Sequence, residues 1–437
     1  MNKTLKLVFA TGSLVVSLVL AGCGLGTTTS QAFSSGGATQ ATVTGKLKGG
    51  QQPVLGSTVY LYGASTSGYG AQSITTTLNG GSPVTTDANG NFNVTGVSCG
   101  SCSPGTEMYL VLAGGNAGAG NNSSAVWMSA LGRYDGLGSL PFLQVNEITT
   151  VATAYALAPF FGSDYAHLGT NSSNVQGLTN AFSLVNSLVN IGTGWGGGTA
   201  LPSGATVTTD SLYALADIIA SCVNSSGGSP CSSLFAQTGS VSDTAMASVT
   251  IAKNTSTNVT NLFNLMPTQQ VFTTGIISAP NDWSLAISYT DSSLSGASSP
   301  AVDSGGNLWV ANTGSSKVTK ITPSGSVSSY SLSLAPNALA IDNSGNVWVA
   351  AGSGTGPSDA ALYELNSSGA TISPSPCSDS SLNNPTAVTI DSSGNIWLSN
   401  TGSGANSLTE FSPSCSETAV FTGAGVSGGI AIASGAH

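Results

Sequence analysis

The chain has 437 residues, of which only 6% are charged: 8 Lys and Arg stand against 18 Asp and Glu, giving a formal net charge of -10. That balance provides no basic footprint for nucleic acid, and anionic lipid heads repel a surface of this sign. The length admits two to four domains of about 100–200 residues each, and 57 glycines with abundant Ser, Thr and Asn suit an exported, turn-rich β protein.

At the N-terminus, Lys3 and Lys6 precede fourteen uncharged residues from Leu7 to Leu20, the pattern of a secretory leader. The run is too short to cross a bilayer as a helix. Leu20-Ala21-Gly22-Cys23 resembles the lipobox of bacterial lipoproteins. The resemblance implies that residues 1–22 are removed as a signal peptide and that Cys23 is lipidated, making the membrane a partner through acyl chains rather than charge. An ordinary leader cut elsewhere, with Cys23 incidental, is the alternative. Gly24, not an aspartate, follows the cysteine, which by the same resemblance favours the outer membrane of a two-membrane cell. Residues 23–40 are small, polar and aperiodic, a flexible tether.

Six further cysteines fall into three local pairs, Cys99 with Cys102, Cys222 with Cys231 and Cys377 with Cys415, and an even count in an exported chain reads as disulfides. Cys99-Gly100-Ser101-Cys102 also fits a redox pair or half a zinc site; a structural disulfide is preferred because no helix N-terminus follows and no further ligands stand near in sequence.

Residues 41–115 alternate with period two and read as a small antiparallel β-sandwich: Val59 and Leu61 share a face, as do Phe92 and Val94, and Met108, Leu110 and Leu112. Asp87-Ala88-Asn89-Gly90 provides turn chemistry. Gly45, the run Gln52-Pro53-Val54-Leu55-Gly56-Ser57-Thr58-Val59, and Thr86-Asp87-Ala88-Asn89-Gly90-Asn91-Phe92 resemble the carboxypeptidase regulatory-like, transthyretin-like domain, which implies a non-catalytic module. An isopeptide bond from Lys46 or Lys48, promoted by Glu107, is the sharper reading; solvated Lys and Glu side chains are the preferred one.

Residues 116–140 read as a crossover loop anchored by Trp127 and Met128. Helical spacing fills 141–268: Ile148, Val151, Ala152 and Tyr155 behind an Asn146 cap; Val175, Leu178, Phe182, Val185 and Val189; Leu212, Leu215, Ile219 and Val223; then shorter helices over 244–252 and near Val259 to Phe263. This is a five-helix bundle in which Cys222 and Cys231 staple the loop leaving the third helix. His167 has no ligand or triad context and reads as a surface histidine, while Glu147 reads as a favourable charge on a helix N-terminus.

A repeat occupies 269–437. Asp303-Ser304-Gly305-Gly306-Asn307-Leu308-Trp309, Asp342-Asn343-Ser344-Gly345-Asn346-Val347-Trp348 and Asp391-Ser392-Ser393-Gly394-Asn395-Ile396-Trp397 superpose, with Trp spacings of 39 and 49. That period means propeller blades or a solenoid. Each Asp caps a turn, each Gly takes a backbone conformation other residues avoid, and each Trp contributes inter-blade burial. With one carboxylate per loop, turn structure is preferred over calcium binding, and no metal or cofactor is expected. Gly429 to Ala433 begins a fourth unit without the Asp, so the expectation is an open, partial propeller, with Cys377–Cys415 joining adjacent blades and Trp283–Tyr289 as an outer strand of a missing blade. The repeats resemble NHL and virginiamycin B lyase-like propellers; the lyases work through histidine and a divalent metal, and positions 283–436 contain no histidine to carry that role.

Three functions remain. A lipid-anchored envelope protein displaying its propeller loops to a protein or glycan ligand leads. An enzyme using propeller carboxylates, Glu364 and Glu410, is the alternative, although Lys320 fills the same repeat position in the first unit. A purely structural envelope protein is the third. Because the acids have few cationic partners, stability is expected to vary little from neutral to mildly acid pH.

Overall fold

A computed structural model describes residues 4–8, 41–322, 325–352, 357–402 and 406–422. The sandwich comprises two sheets. One orders Gln52–Pro53, Val43–Gly49 and Asn91–Val94, with Leu143–Val145 alongside Val43–Gly49 in parallel; the other orders Ile74–Thr75, Thr58–Gly63, Glu107–Ala113 and Val126–Arg133. Val43, Leu47, Phe92 and Val94 face Val59, Leu61, Met108, Leu110, Leu112 and Trp127 across the gap. At the Asp87 turn Gly90 has φ of 77°, and a Cβ there would collide with the Leu47 carbonyl, so glycine is required.

The strand Val126–Arg133 corrects the expected crossover loop at 116–140. It is buried on both faces, so its sequence shows no alternation to read. Its opposite face, with Tyr62, Tyr109 and Val111 of neighbouring strands, packs on the helices. The outer edge of this strand is also covered. The amides of Val126, Met128 and Ala130 donate to the hydroxyls of Thr244, Thr150 and Thr153 at 2.8, 3.1 and 3.1 Å, so helical threonines take the place of a further strand.

The helices are α1 (Glu147–Leu157), α2 (Val175–Leu188), α3 (Thr209–Val223), α4 (Ser229–Gln237), α5 (Thr244–Lys253) and α6 (Val259–Phe263). Asn146 caps α1 by accepting from the Thr149 amide, and the Thr149 hydroxyl accepts from the Asn146 amide in return. The one-sided burial expected of α1 is replaced by burial on nearly every side, because it lies between the sandwich and α2, α3 and α5. Helix α4 replaces a loop in the sequence reading. Its Pro230 reads as a breaker but sits in the first turn, where no amide donor is needed. Among the described residues no helix is long and apolar enough to cross a membrane.

The strand Ala286–Thr290 also departs from expectation. It belongs to no blade, and instead pairs with Ala205–Val207 on one edge and with Thr4–Val8, from the stretch read as leader, on the other. Trp283, Leu285 and Ile287 are buried in the helical core, and that core continues into Leu308, Val310 and Ile321 of the first repeat. Their apolar side chains fill the helical core rather than the outer face of a further blade.

Three antiparallel sheets follow as blades. The first comprises Ala297–Val302, Leu308–Asn312, Lys317–Ile321 and Val327–Ser331; the second Pro336–Ile341, Val347–Gly352 and Ala360–Leu365; the third Pro385–Ile390, Ile396–Asn400, Ser407–Phe411 and Glu417–Thr422. Each inner strand carries a register shift near its start, between Ser298 and Pro300, Pro336 and Ala338, and Pro385 and Ala387. Side chains tie successive inner strands together. The Leu339 amide donates to Ser299 Oγ at 3.0 Å, and Asn337 Nδ2 donates to the Pro385 carbonyl at 2.9 Å.

Candidate functional site

The repeated turn is built within seven residues. Asp303 Oδ1 accepts the amides of Gly305 and Asn307, each at 2.9 Å, and Oδ2 accepts Trp309 Nε1 at 2.9 Å. Asp342 and Asp391 repeat the arrangement, with indole bonds of 3.1 Å from Trp348 and Trp397. The glycine of each turn, Gly306, Gly345 or Gly394, has φ of 76°, 83° or 85°. Burial works against ionisation of Asp303 and Asp391, but the Trp and Asn hydrogen bonds outweigh it and hold both carboxyls below the usual range.

Across the strand pair, each repeat Trp faces a charged residue: Trp309 faces Lys320, Trp348 faces Glu364, and Trp397 faces Glu410. Lys320 Nζ lies 5.1 Å from the centre of the Trp309 ring and donates to the Ser367 carbonyl of the next blade at 2.7 Å. Glu364 accepts from Asn346 Nδ2 at 3.0 Å; burial and then the neighbouring Asp342 push its carboxyl upward. Thus the residues proposed from sequence as an acid pair sit on separate blades, each opposite its own tryptophan in the strand register. Trp309 and Trp348 are 0% and 1% exposed between blades. Trp397 is half-buried and stacks on exposed Phe421 with ring centres 5.7 Å apart, since no further blade covers it among the described residues.

All three expected cysteine pairs are bonded, with Cα separations of 5.3 Å for Cys99–Cys102, 4.4 Å for Cys222–Cys231 and 5.4 Å for Cys377–Cys415. The last joins the second blade, where Cys377 pairs with Leu362, to the turn before the final strand of the third. Cys23 and the Gly429–Ala433 unit lie outside the described residues.

The buried acids are elsewhere, and sequence reasoning misplaced them. Glu147, read as a charge at a helix start, is 0% exposed; its Oε1 accepts the Gly50 amide at 2.8 Å, and burial pushes its carboxyl up to about 7. Glu107, read as solvated, is buried at the start of the sandwich strand Glu107–Ala113 and likewise raised to about 7, with Thr179 and Arg133 pulling the other way. Asp217 of α3 accepts the amides of Val271 and Phe272 through Oδ1 at 2.9 and 3.0 Å, and burial raises it to about 6. His167 pairs with Asp164 at 2.7 Å on a partly exposed loop, and among the described residues no three His, Cys, Asp or Glu gather as a metal site.

A cleft of about 270 Å³ opens where the helical body meets the first blade. Ser203 and Gly204 form one wall, Tyr289, Thr290 and Asp291 a second, and Ile321, Gly325 and Val327 of the blade a third. It lies just below the usual size of small-ligand sites, about 300–1,000 Å³. Nothing in the sequence marks it, because its walls come from three distant segments.

No family model matches the chain, and no curated protein matches it. Among solved structures it is similar to a streptogramin B lyase at 18% identity, over 29% of this chain and 41% of that one, with a TM-score of 0.24. A catalytically inactive virginiamycin B lyase from Staphylococcus aureus with quinupristin matches at 17% identity, over 32% and 46%, with a TM-score of 0.26. A gluconolactonase from Xanthomonas campestris matches at 16% identity, over 32% and 52%, with a TM-score of 0.25. The chain thus spans about half or less of the length of each of these proteins.

Proposed function

We propose that this chain is an exported envelope protein, anchored by lipid on Cys23, that displays its blades as a binding surface for a protein or glycan. The observation that carries the reading is the fate of the repeat charges: Asp303, Asp342 and Asp391 each hold a tryptophan indole, and Lys320 and Glu364 hold blade-to-blade or turn contacts. A catalytic acid pair has to converge on one bond across a substrate. Here the three aspartates and Glu364 serve as framework, and exposed loops are left to make contacts.

Cells expressing the full chain and fed labelled palmitate test the anchor. Label should appear on the protein and vanish in Cys23→Ala, and an unlabelled native chain would refute the anchor. Purified envelope polysaccharide passed over the immobilised full chain tests display. Binding should survive the double change Glu364→Gln and Glu410→Gln, whereas turnover of the polysaccharide that this pair abolishes would favour the enzyme reading.

A further inference from the structure

The strand Ala286–Thr290 has two edges in different circumstances. On one, the Thr290 amide donates to the Gly204 carbonyl at 3.1 Å, the Ala286 amide to Thr208 Oγ1 at 3.0 Å, and the Thr208 amide to the Ala286 carbonyl at 3.1 Å. Backbone groups alternate along a strand, so the N–H and C=O of Ile287 and Tyr289 point to the other edge. There the register partners are Leu7 for Ile287 and Leu5 for Tyr289. The occupant of that edge is therefore the segment Thr4–Val8, which the lipobox assigns to a removable leader.

We propose that this edge is a strand-accepting site for an extended peptide, filled by Thr4–Val8 in the unprocessed chain and opened when that segment is removed. The release step rests on the leader reading of Cys23; the site itself does not. Ile287 and Tyr289 are 1% and 3% exposed within the shared core, so the strand is fixed by its side chains and does not turn to hide its edge. Removal of the segment leaves four backbone groups aligned and unpaired, the template used in β-strand addition.

Charge indicates the partner. The chain carries a net charge of -10, and Asp282 and Asp291 flank the strand at either end. The position opposite Ser288 is occupied by Lys6, and Asp291, next after the strand, lines the cleft. The site thus fits a short basic-apolar peptide running antiparallel to Ala286–Thr290, with a cation opposite Ser288.

To test this, a specific protease site is placed within residues 24–40 of the full chain, which is cut after folding. A fluorescent peptide of residues 2–10 is then offered to cut and uncut protein, with anisotropy as the readout. The cut protein should exchange its fragment for the labelled peptide, and the uncut protein should bind at least tenfold more weakly. Methylating the peptide nitrogens of Leu5 and Leu7 should weaken binding at least tenfold, while methylating that of Lys6 should change it less than twofold. Equal uptake by cut and uncut protein, no uptake by either, or equal loss from both kinds of methylation would overturn the proposal. The N-terminal residue of the protein recovered from the envelope separately tests the leader: retained residues 1–22 would refute release while leaving the peptide result to judge the edge.

Discussion

Replacing Glu147 with Gln removes a single titration from the heart of the molecule. The carboxyl is 0% exposed at the start of α1 and links the helices to the sandwich through the Gly50 amide at 2.8 Å. Burial raises it from an ordinary 4.5 to about 7. The folded state then binds a proton more tightly than the unfolded chain, so the group's contribution is fully present below about pH 4.5 and is lost as pH rises through 7. A shift of this size corresponds to about 3 kcal/mol between the two limits. Gln keeps an acceptor for Gly50 and has no charge to bury. Relative to the native chain, Glu147→Gln should therefore gain about 3 kcal/mol of stability between pH 4.5 and pH 8, or roughly 6–12 °C in melting temperature for a body of this size. Thermal unfolding of both full-length proteins across that range measures it. Parallel pH profiles, or a native chain that gains on the variant as pH rises, would refute the reasoning. With Glu107 and Asp217 raised for the same reason, the native protein should grow more stable on mild acidification, which replaces the flat profile expected from sequence.

Trp309→Phe leaves the Asp303 carboxylate without its indole donor and should cost about 1–3 kcal/mol in urea unfolding, while Trp397→Phe, at a half-buried position, should cost less. Opening Cys377–Cys415 with Cys415→Ser releases a loop with sequence separation 38, and chain-entropy arithmetic gives about 4 kcal/mol, seen as faster proteolysis of the third blade while the helical body stays intact. Thr150→Val with Thr153→Val orphans the Met128 and Ala130 amides and should lower the melting temperature of the sandwich by an amount equivalent to about 2–4 kcal/mol.

The blades were legible because their hydrogen bonds are local. Asp391, Asn395 and Trp397 lie within seven residues and close one turn, so spacing alone exposes them. Cys99–Cys102 and Cys222–Cys231, separated by 3 and 9 residues, were legible for the same reason. Long-range burial was not. Val126–Arg133 lacks alternation because helices cover its second face, and Glu107 and Glu147 carry no sequence mark of the layers that enclose them. The neighbours of Trp283 read as a blade strand, whereas its ring fills the helical core and its indole donates to the Val259 carbonyl at 3.3 Å. The cleft required residues as distant as Ser203 and Val327 to meet.

The core that runs without a break from Trp283 and Ile287 into Leu308, Val310 and Ile321 gives the repeat array a direction. In a stack of like units, stability is set by each unit and its neighbours, and folding spreads from whichever unit is best supported. Here the first blade is supported by the helices, and the later ones by smaller apolar clusters around Trp309 and Trp348, inner-strand side chains and one disulfide. Order should therefore propagate outward from the helical body. Amide-exchange protection should fall from the strand Leu308–Asn312 through Val347–Gly352 to Ile396–Asn400, so that the third blade samples open states while the first remains closed.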